Sequence, residues 1–95
     1  MCQKAAPLGQ PREDLACCLG FDSCIYALGG ITASNNATNS VERYNPNLGS
    51  WQTVKSMKHP RISFTVVPTP KGLFVIGGHT TKKLLKEVEF YDYEE

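Results

Sequence analysis

Ile25-Tyr26-Ala27-Leu28-Gly29-Gly30 returns 48 residues later as Leu73-Phe74-Val75-Ile76-Gly77-Gly78. Working outward, Val41-Glu42-Arg43-Tyr44-Asn45 returns after 47 residues as Val88-Glu89-Phe90-Tyr91-Asp92, and Pro11-Arg12 returns after 49 as Pro60-Arg61. Three matches in one order, within one residue of one period, define an internal repeat of about 48 residues. The chain of 95 residues therefore holds just under two copies.

Each copy reads as short β-strands punctuated by turn residues. With the strands of a repeat lettered A to D, the first copy predicts A over Leu15 to Leu19, B over Cys24 to Leu28, C over Ser40 to Tyr44 and D over Ser50 to Val54. Asn45-Pro46-Asn47-Leu48-Gly49 supplies the turn between C and D. The second copy predicts A over Ile62 to Val67, closed by Pro68 and Pro70, then B over Leu73 to Ile76 and C over Lys86 to Tyr91. It has no counterpart of strand D. Period-2 alternation puts Glu42 and Tyr44 on one face of strand C and Val41 and Arg43 on the other. The glycine pairs after strand B allow positive φ and a close backbone approach.

Four short antiparallel strands per repeat of about 50 residues is the pattern of a propeller blade. The motif residues resemble the kelch repeat: a diglycine ending strand B (Gly29-Gly30, Gly77-Gly78), a tyrosine late in strand C (Tyr44, Tyr91) and a tryptophan in strand D (Trp51). Met57 and Pro60-Arg61 fit the family's run between strand D and the next strand A. The cadence is most similar to the BTB–kelch (kelch-like) family, over residues 11–95. It departs at Cys24, where the second copy has Gly72. The resemblance implies an all-β fold, a partial kelch-type β-propeller of about two blades with the second lacking its last strand. The implied division is a flexible lead over 1–10, one repeat over 11–56 and an incomplete repeat over 57–95. Tyr44, Trp51, Tyr91 and the diglycines are expected to be structural, the large aromatics packing between blades.

Composition narrows the function classes. Ten Lys and Arg against nine Asp and Glu give a net charge of +1, without the basic excess of a nucleic-acid module. No apolar run reaches the ~18–20 residues of a membrane-spanning helix, and the first residues lack the apolar stretch of a secretory signal. A cytoplasmic location is the expectation. Cys2, Cys17, Cys18 and Cys24 all precede residue 25, which is not the spread of a disulfide scaffold. Neighbouring Cys17 and Cys18 point to opposite faces of a strand, so they are expected to act as small buried hydrophobes rather than as ligands. His59 and His79 lie in different loops with no ligand at metal-binding spacing. No nucleophile elbow, phosphate loop or carboxylate pair in an apolar setting is present, and the glycine pairs open no helix. No catalytic residue, metal or cofactor is assigned, although some propellers of this kind are oxidases or isomerases.

Up-and-down connectivity places the A–B and C–D turns at one end of a blade and the B–C and D–A connections at the other. The B–C loops, Ile31 to Asn39 and His79 to Leu85, are the longer ones, and recognition concentrates on long loops of a rigid scaffold. Resemblance to kelch-like proteins implies that this end binds the partner through Arg12, Arg61, Thr32, Ser34, Asn36, His79 and Thr80. An arginine at the start of strand A has two readings: bidentate recognition of a carboxylate or phosphate, or pairing with a neighbouring blade. Lys82, Lys83 and Lys86, followed by Glu87, Glu89, Asp92, Glu94 and Glu95, are expected to be a solvated charged region.

The expected function is therefore a protein-interaction module. By resemblance it captures substrates for a cullin-type ubiquitin ligase or binds actin. The alternative is a fragment or truncated form without function of its own, since a six-bladed ring at this period needs about 290 residues. Blades missing from the ring would come from a longer parent chain or from self-association, and two blades alone should leave a face uncovered.

Overall fold

Alternation of apolar and polar residues in runs of four or five, broken by Gly, Pro and Asn, leaves the chain no choice but short strands. The computed structural model describes residues 6–93. Cys2 and the terminal Glu94 and Glu95 lie outside the described residues. Among the described residues nine strands form in order: β1 (Arg12–Glu13), β2 (Ala16–Leu19), β3 (Ile25–Leu28), β4 (Ile31–Thr32), β5 (Val41–Asn45), β6 (Ser50–Val54), β7 (Thr65–Pro68), β8 (Gly72–Ile76) and β9 (Val88–Asp92). Among the described residues there is no helix.

The strands make two antiparallel blades. The first is a four-stranded sheet in the order β2-β3-β5-β6; the second is three-stranded, β7-β8-β9. These are strands A to D and A to C of the repeat. Tyr44 pairs with Trp51 across β5 and β6, their rings 5.3 Å apart. Phe74 pairs with Phe90 across β8 and β9 at 5.1 Å. Such cross-strand aromatic pairs each add a fraction of a kcal/mol to about 1 kcal/mol to a sheet.

The core lies between the blades. Cys24, Tyr26, Leu28 and Val41 of the first blade form one buried cluster with Met57, Leu73, Val75 and Tyr91 of the connection and second blade. Tyr26 and Tyr91 meet edge to face at 6.2 Å. Tyr91 thus does pack between blades. Tyr44 and Trp51 are half-buried on the opposite face of the first blade, away from the contact between these two blades. Cys17 corrects an expectation, being exposed on alternating strand β2 while Cys18 and Cys24 turn inward.

One element had no sequence expectation. Arg12 and Glu13 pair with Thr32 and Ile31, tying the run into strand A to the start of the B–C loop. The second blade repeats this as a single bridge from Ile62 to His79. Strand A of that blade consequently begins at Thr65 rather than Ile62, because Ile62 pairs sideways and Ser63 takes φ +54°. The segment expected to be a loose lead is attached over its described part: Ala6 O accepts from Trp51 Nε1 at 2.9 Å, and Gly9 N donates to Glu42 at 2.7 Å.

Candidate functional site

The B–C and D–A connections do share one end. The D–A connection hydrogen-bonds the first B–C loop through Met57 N to Asn39 O, Asn39 Nδ2 to Met57 O, and Gly30 N to Arg61 O, at 2.9, 3.1 and 2.8 Å. Glycine is required at the closest approaches. A Cβ on Gly30 (φ +96°) would stand 2.5 Å from Glu13 O, and one on Gly78 (φ +87°) 2.6 Å from Ile62 O.

Arg12 and Arg61 are at this end, but not on its surface. Both side chains have 0% exposure. Arg12 Nη1 donates to Gly29 O and Ser40 O at 3.1 and 2.8 Å, and Nη2 donates to Glu42 Oε2 at 2.7 Å. Arg61 repeats the arrangement: Nη1 to Gly77 O and Glu87 O at 2.8 and 2.9 Å, with Nε and Nη2 on Glu89 Oε2. Gly29 and Ser40 bracket the first B–C loop, as Gly77 and Glu87 bracket the second. Each guanidinium therefore closes the neck of a loop and binds a carboxylate of its own blade. Neither reading of these arginines survives. They do not face a partner, and their carboxylates do not belong to a neighbouring blade.

Each carboxylate then grips the chain that leads into its blade. Glu42 accepts from Gly9 N and Gln10 N at 2.7 and 3.3 Å, and Glu89 from Lys58 N and His59 N at 2.6 and 3.1 Å. Charge-assisted bonds of this kind are roughly twice as strong as neutral ones. Burial pushes the Glu42 carboxyl up, but Arg12 and the two backbone amides outweigh it and hold the group below its ordinary range.

What remains on the surface is the loops themselves. Thr32 Oγ1 and Ser34 Oγ lie 2.9 Å apart, and Asn36 Nδ2 donates to Ser34 Oγ at 3.4 Å. Asn35, at φ +65°, donates its N–H to Thr32 O at 2.9 Å, so the three side chains share one compact turn. In the second loop, His79 Nδ1 is 2.9 Å from Thr80 O, and Thr80 Oγ1 accepts from Lys82 N and Lys83 N at 3.1 and 3.2 Å. Thr80 is thus half-buried and occupied in shaping the loop, while Lys82, Lys83 and Lys86 are exposed.

Two further surface residues had escaped the sequence reading. Asp14 and Ser63, two positions after the paired arginines, are both exposed at φ +54°. Ser63 N donates to Asp14 O at 3.2 Å, so they adjoin across the blade boundary. Non-glycine residues held in the left-handed region cluster at functional sites. Their shared spacing after Pro-Arg was the available signal.

Two cavities lie at opposite ends. One of about 280 Å³ is lined by Arg12, Glu13, Ile31 and Thr32 at the loop end. One of about 580 Å³ opens between the blades at the other end, against Phe21, Asp22, Arg43, Lys71 and Tyr93. Among the described residues no group of three or more His, Cys, Asp or Glu could hold a metal ion.

The family whose description is "Kelch motif" matches residues 15–58, from strand A through strand D of the first blade to Met57 and Lys58. The chain belongs to the kelch-repeat family. It is 40% identical over 88 residues to kelch-like protein 28 of Homo sapiens, covering 85% of this chain and 15% of that protein. It is 36% identical over 63 residues to beta-scruin of Limulus polyphemus, covering 66% and 7%, and 33% identical over 91 residues to kelch-like protein 33 of Homo sapiens, covering 95% and 17%. The chain thus spans less than a fifth of the length of these kelch relatives.

Proposed function

We propose that this kelch chain recognises a segment of another protein at the B–C loop end, through Thr32, Ser34, Asn36, His79 and Thr80, with Asp14 and Ser63 between the two loops. The observation that carries this reading is the placement of Arg12 and Arg61 at the loop necks. Rigid necks hold exposed donors and acceptors in fixed positions, which lowers the ordering cost of binding. Arg12 and Arg61 are positioning residues in this account. Exposed Glu13 and Asp14 of the first blade's entry and exposed Lys82 and Lys83 of the second B–C loop offer both signs of charge for steering a partner.

The finer reading is substrate capture for a cullin-type ubiquitin ligase, as the resemblance to kelch-like proteins implies. Higher identity over a longer stretch to kelch-like protein 28 than to beta-scruin supports this over actin binding. The test is affinity purification of the tagged chain, by quantitative mass spectrometry, in three forms: unaltered, Ser34→Ala/Asn36→Ala/His79→Ala, and Leu48→Ala/Lys71→Ala at the other end. Partners depleted at least fivefold by the loop variant alone support the reading. Partners retained by it, or lost only with the other variant, overturn it. Among depleted partners, actin would replace the ligase reading.

A further inference from the structure

Arg61 and Ile62 are consecutive residues whose backbones bond two different loops. Arg61 belongs to the first B–C loop: its N–H donates to Thr38 O at 3.3 Å, and its carbonyl accepts from Gly30 N at 2.8 Å. Ile62 belongs to the second: its N–H donates to His79 O at 2.8 Å, and its carbonyl accepts from His79 N at 3.0 Å. Gly30 and Thr38 also bond each other near the two ends of the first loop, Thr38 N to Gly30 O at 3.0 Å. Both Arg61 and Ile62 are buried.

Arg61 O and Ile62 N lie on one peptide unit. That unit is planar and trans, so its oxygen and its N–H point in opposite directions. One rigid plate is therefore held by Gly30 on one edge and by His79 on the other. Turning it to follow either loop weakens the bond to the other, and a buried backbone group left unpaired costs about as much as a lost hydrogen bond. The side chain adds a second link, since Arg61 Nη1 grips Gly77 O and Glu87 O at the two ends of the second loop. The fit has little slack: a Cβ on Gly29 would stand 2.7 Å from Arg61 O.

We infer that the Arg61–Ile62 peptide couples the two B–C loops, so that ordering either loop stiffens the other. Order passed on in this way is positive cooperativity that needs no change of shape, and linkage makes it reciprocal. A partner segment spanning both loops then meets one ordering cost in place of two. That consequence rests on the proposed partner end; the coupling itself does not, and it is measured without a partner.

The test is amide hydrogen exchange of the 95-residue chain, followed residue by residue by NMR, with one loop disturbed and the other read. Asn35→Val forces a β-branched residue onto the φ of +65° that shapes the first loop. Exchange at His79 N, Thr80 N and Leu85 N in the second loop should quicken at least about threefold. Leu48 N and Gly49 N, bonded to Asn45 O in the C–D turn at the other end, should keep their rates. In reverse, Thr80→Ala frees Lys82 N and Lys83 N and should quicken Thr32 N and Thr38 N in the first loop by a similar factor. If Asn35→Val proves unfolded, Ser34→Ala/Asn36→Ala replaces it, removing side-chain bonds of the same turn. Acceleration confined to the disturbed loop overturns the inference. So does equal acceleration at Leu48 and Gly49, which would mark a general loosening of the fold. Coupled exchange in a chain whose partners survive the loop substitutions supports the inference and overturns only the partner reading.

Discussion

Arg61 and Glu89, 28 residues apart in sequence, meet at 2.9 Å inside the second blade, and Arg12 and Glu42 make the same contact at 2.7 Å inside the first. The pair joins three segments that local structure cannot hold: the two necks of a B–C loop, bound by the guanidinium, and the incoming chain, bound by the carboxylate. The B–C loops owe their fixed shape to residues that do not reach the surface.

Removing one member of a buried pair strands the other charge, at a cost of ~3–5 kcal/mol. Glu89→Gln also turns an amide donor toward Lys58 N or His59 N, which are donors themselves. Urea denaturation should show this variant destabilised by about 3 kcal/mol or more. A loss under 1 kcal/mol would mean that the carboxylate is not the hub of these bonds.

The diglycines separate two costs of adding a methyl group. At Gly77, φ is +71° and a Cβ would meet nothing within 4 Å, so Gly77→Ala pays backbone strain alone, about 1–2 kcal/mol. At Gly78 the same change also drives a Cβ to 2.6 Å from Ile62 O, across the bridge to His79. Gly78→Ala should be the more destabilising by at least about 1.5 kcal/mol, read as the difference in denaturation free energy. Equal losses would contradict the close approach.

Acid should loosen the first blade through Glu42. Its carboxyl is held below the ordinary value of 4.5, so the unfolded chain takes up the proton first. The stabilisation is complete above that value and disappears as pH falls through the lower folded one. Unfolding midpoints should drop on acidification below about pH 4.5, and Glu42→Gln should flatten that drop. An equally steep drop in the variant would assign acid sensitivity elsewhere.

Alkali acts through the opposite shift. Burial pushes the Cys18 thiol up to about 11 and the Tyr91 hydroxyl up to about 12, and burial with the bond to Asp22 raises Tyr26 as well. These groups stay neutral in the fold when the unfolded chain would ionise. Their contribution is intact below the unfolded values of 9 and 10 and is lost as pH rises through the folded ones. Melting temperatures measured from pH 8 to 11 should decline, and Cys18→Ala should remove the part that begins near pH 9. A flat profile would contradict the burial of these groups between the blades.

Strand D, Ser50–Val54, and strand B of the second blade were legible to within a residue, because turn chemistry brackets them closely. Strand A of the second blade was not. Ile62-Ser63-Phe64 reads as a continuous extended run, yet Ile62 is captured by His79 and Ser63 turns left-handed. The arginines were misread for a related reason. Pro-Arg at a strand entrance says nothing locally about a carboxylate some 30 residues on. The signal lay in the repeat: an arginine and a glutamate recur together, in the same order and at nearly the same separation. Loop residues 32–36 were legible as polar and long, but their hydrogen-bonded turn depends on Asn35 at positive φ, which no spacing reveals.

The central claim is that the paired arginines hold the loop necks while the loop side chains remain free for a partner. Thermal unfolding of Arg61→Lys beside Ser34→Ala/Asn36→Ala tests it most directly. Lysine cannot reproduce three nitrogens bonding Gly77 O, Glu87 O and Glu89 at once. The account predicts a melting temperature lowered by about 10 °C or more for Arg61→Lys and unchanged within about 2 °C for the loop variant. An Arg61→Lys chain that melts with the unaltered protein would contradict it, returning that guanidinium to the surface.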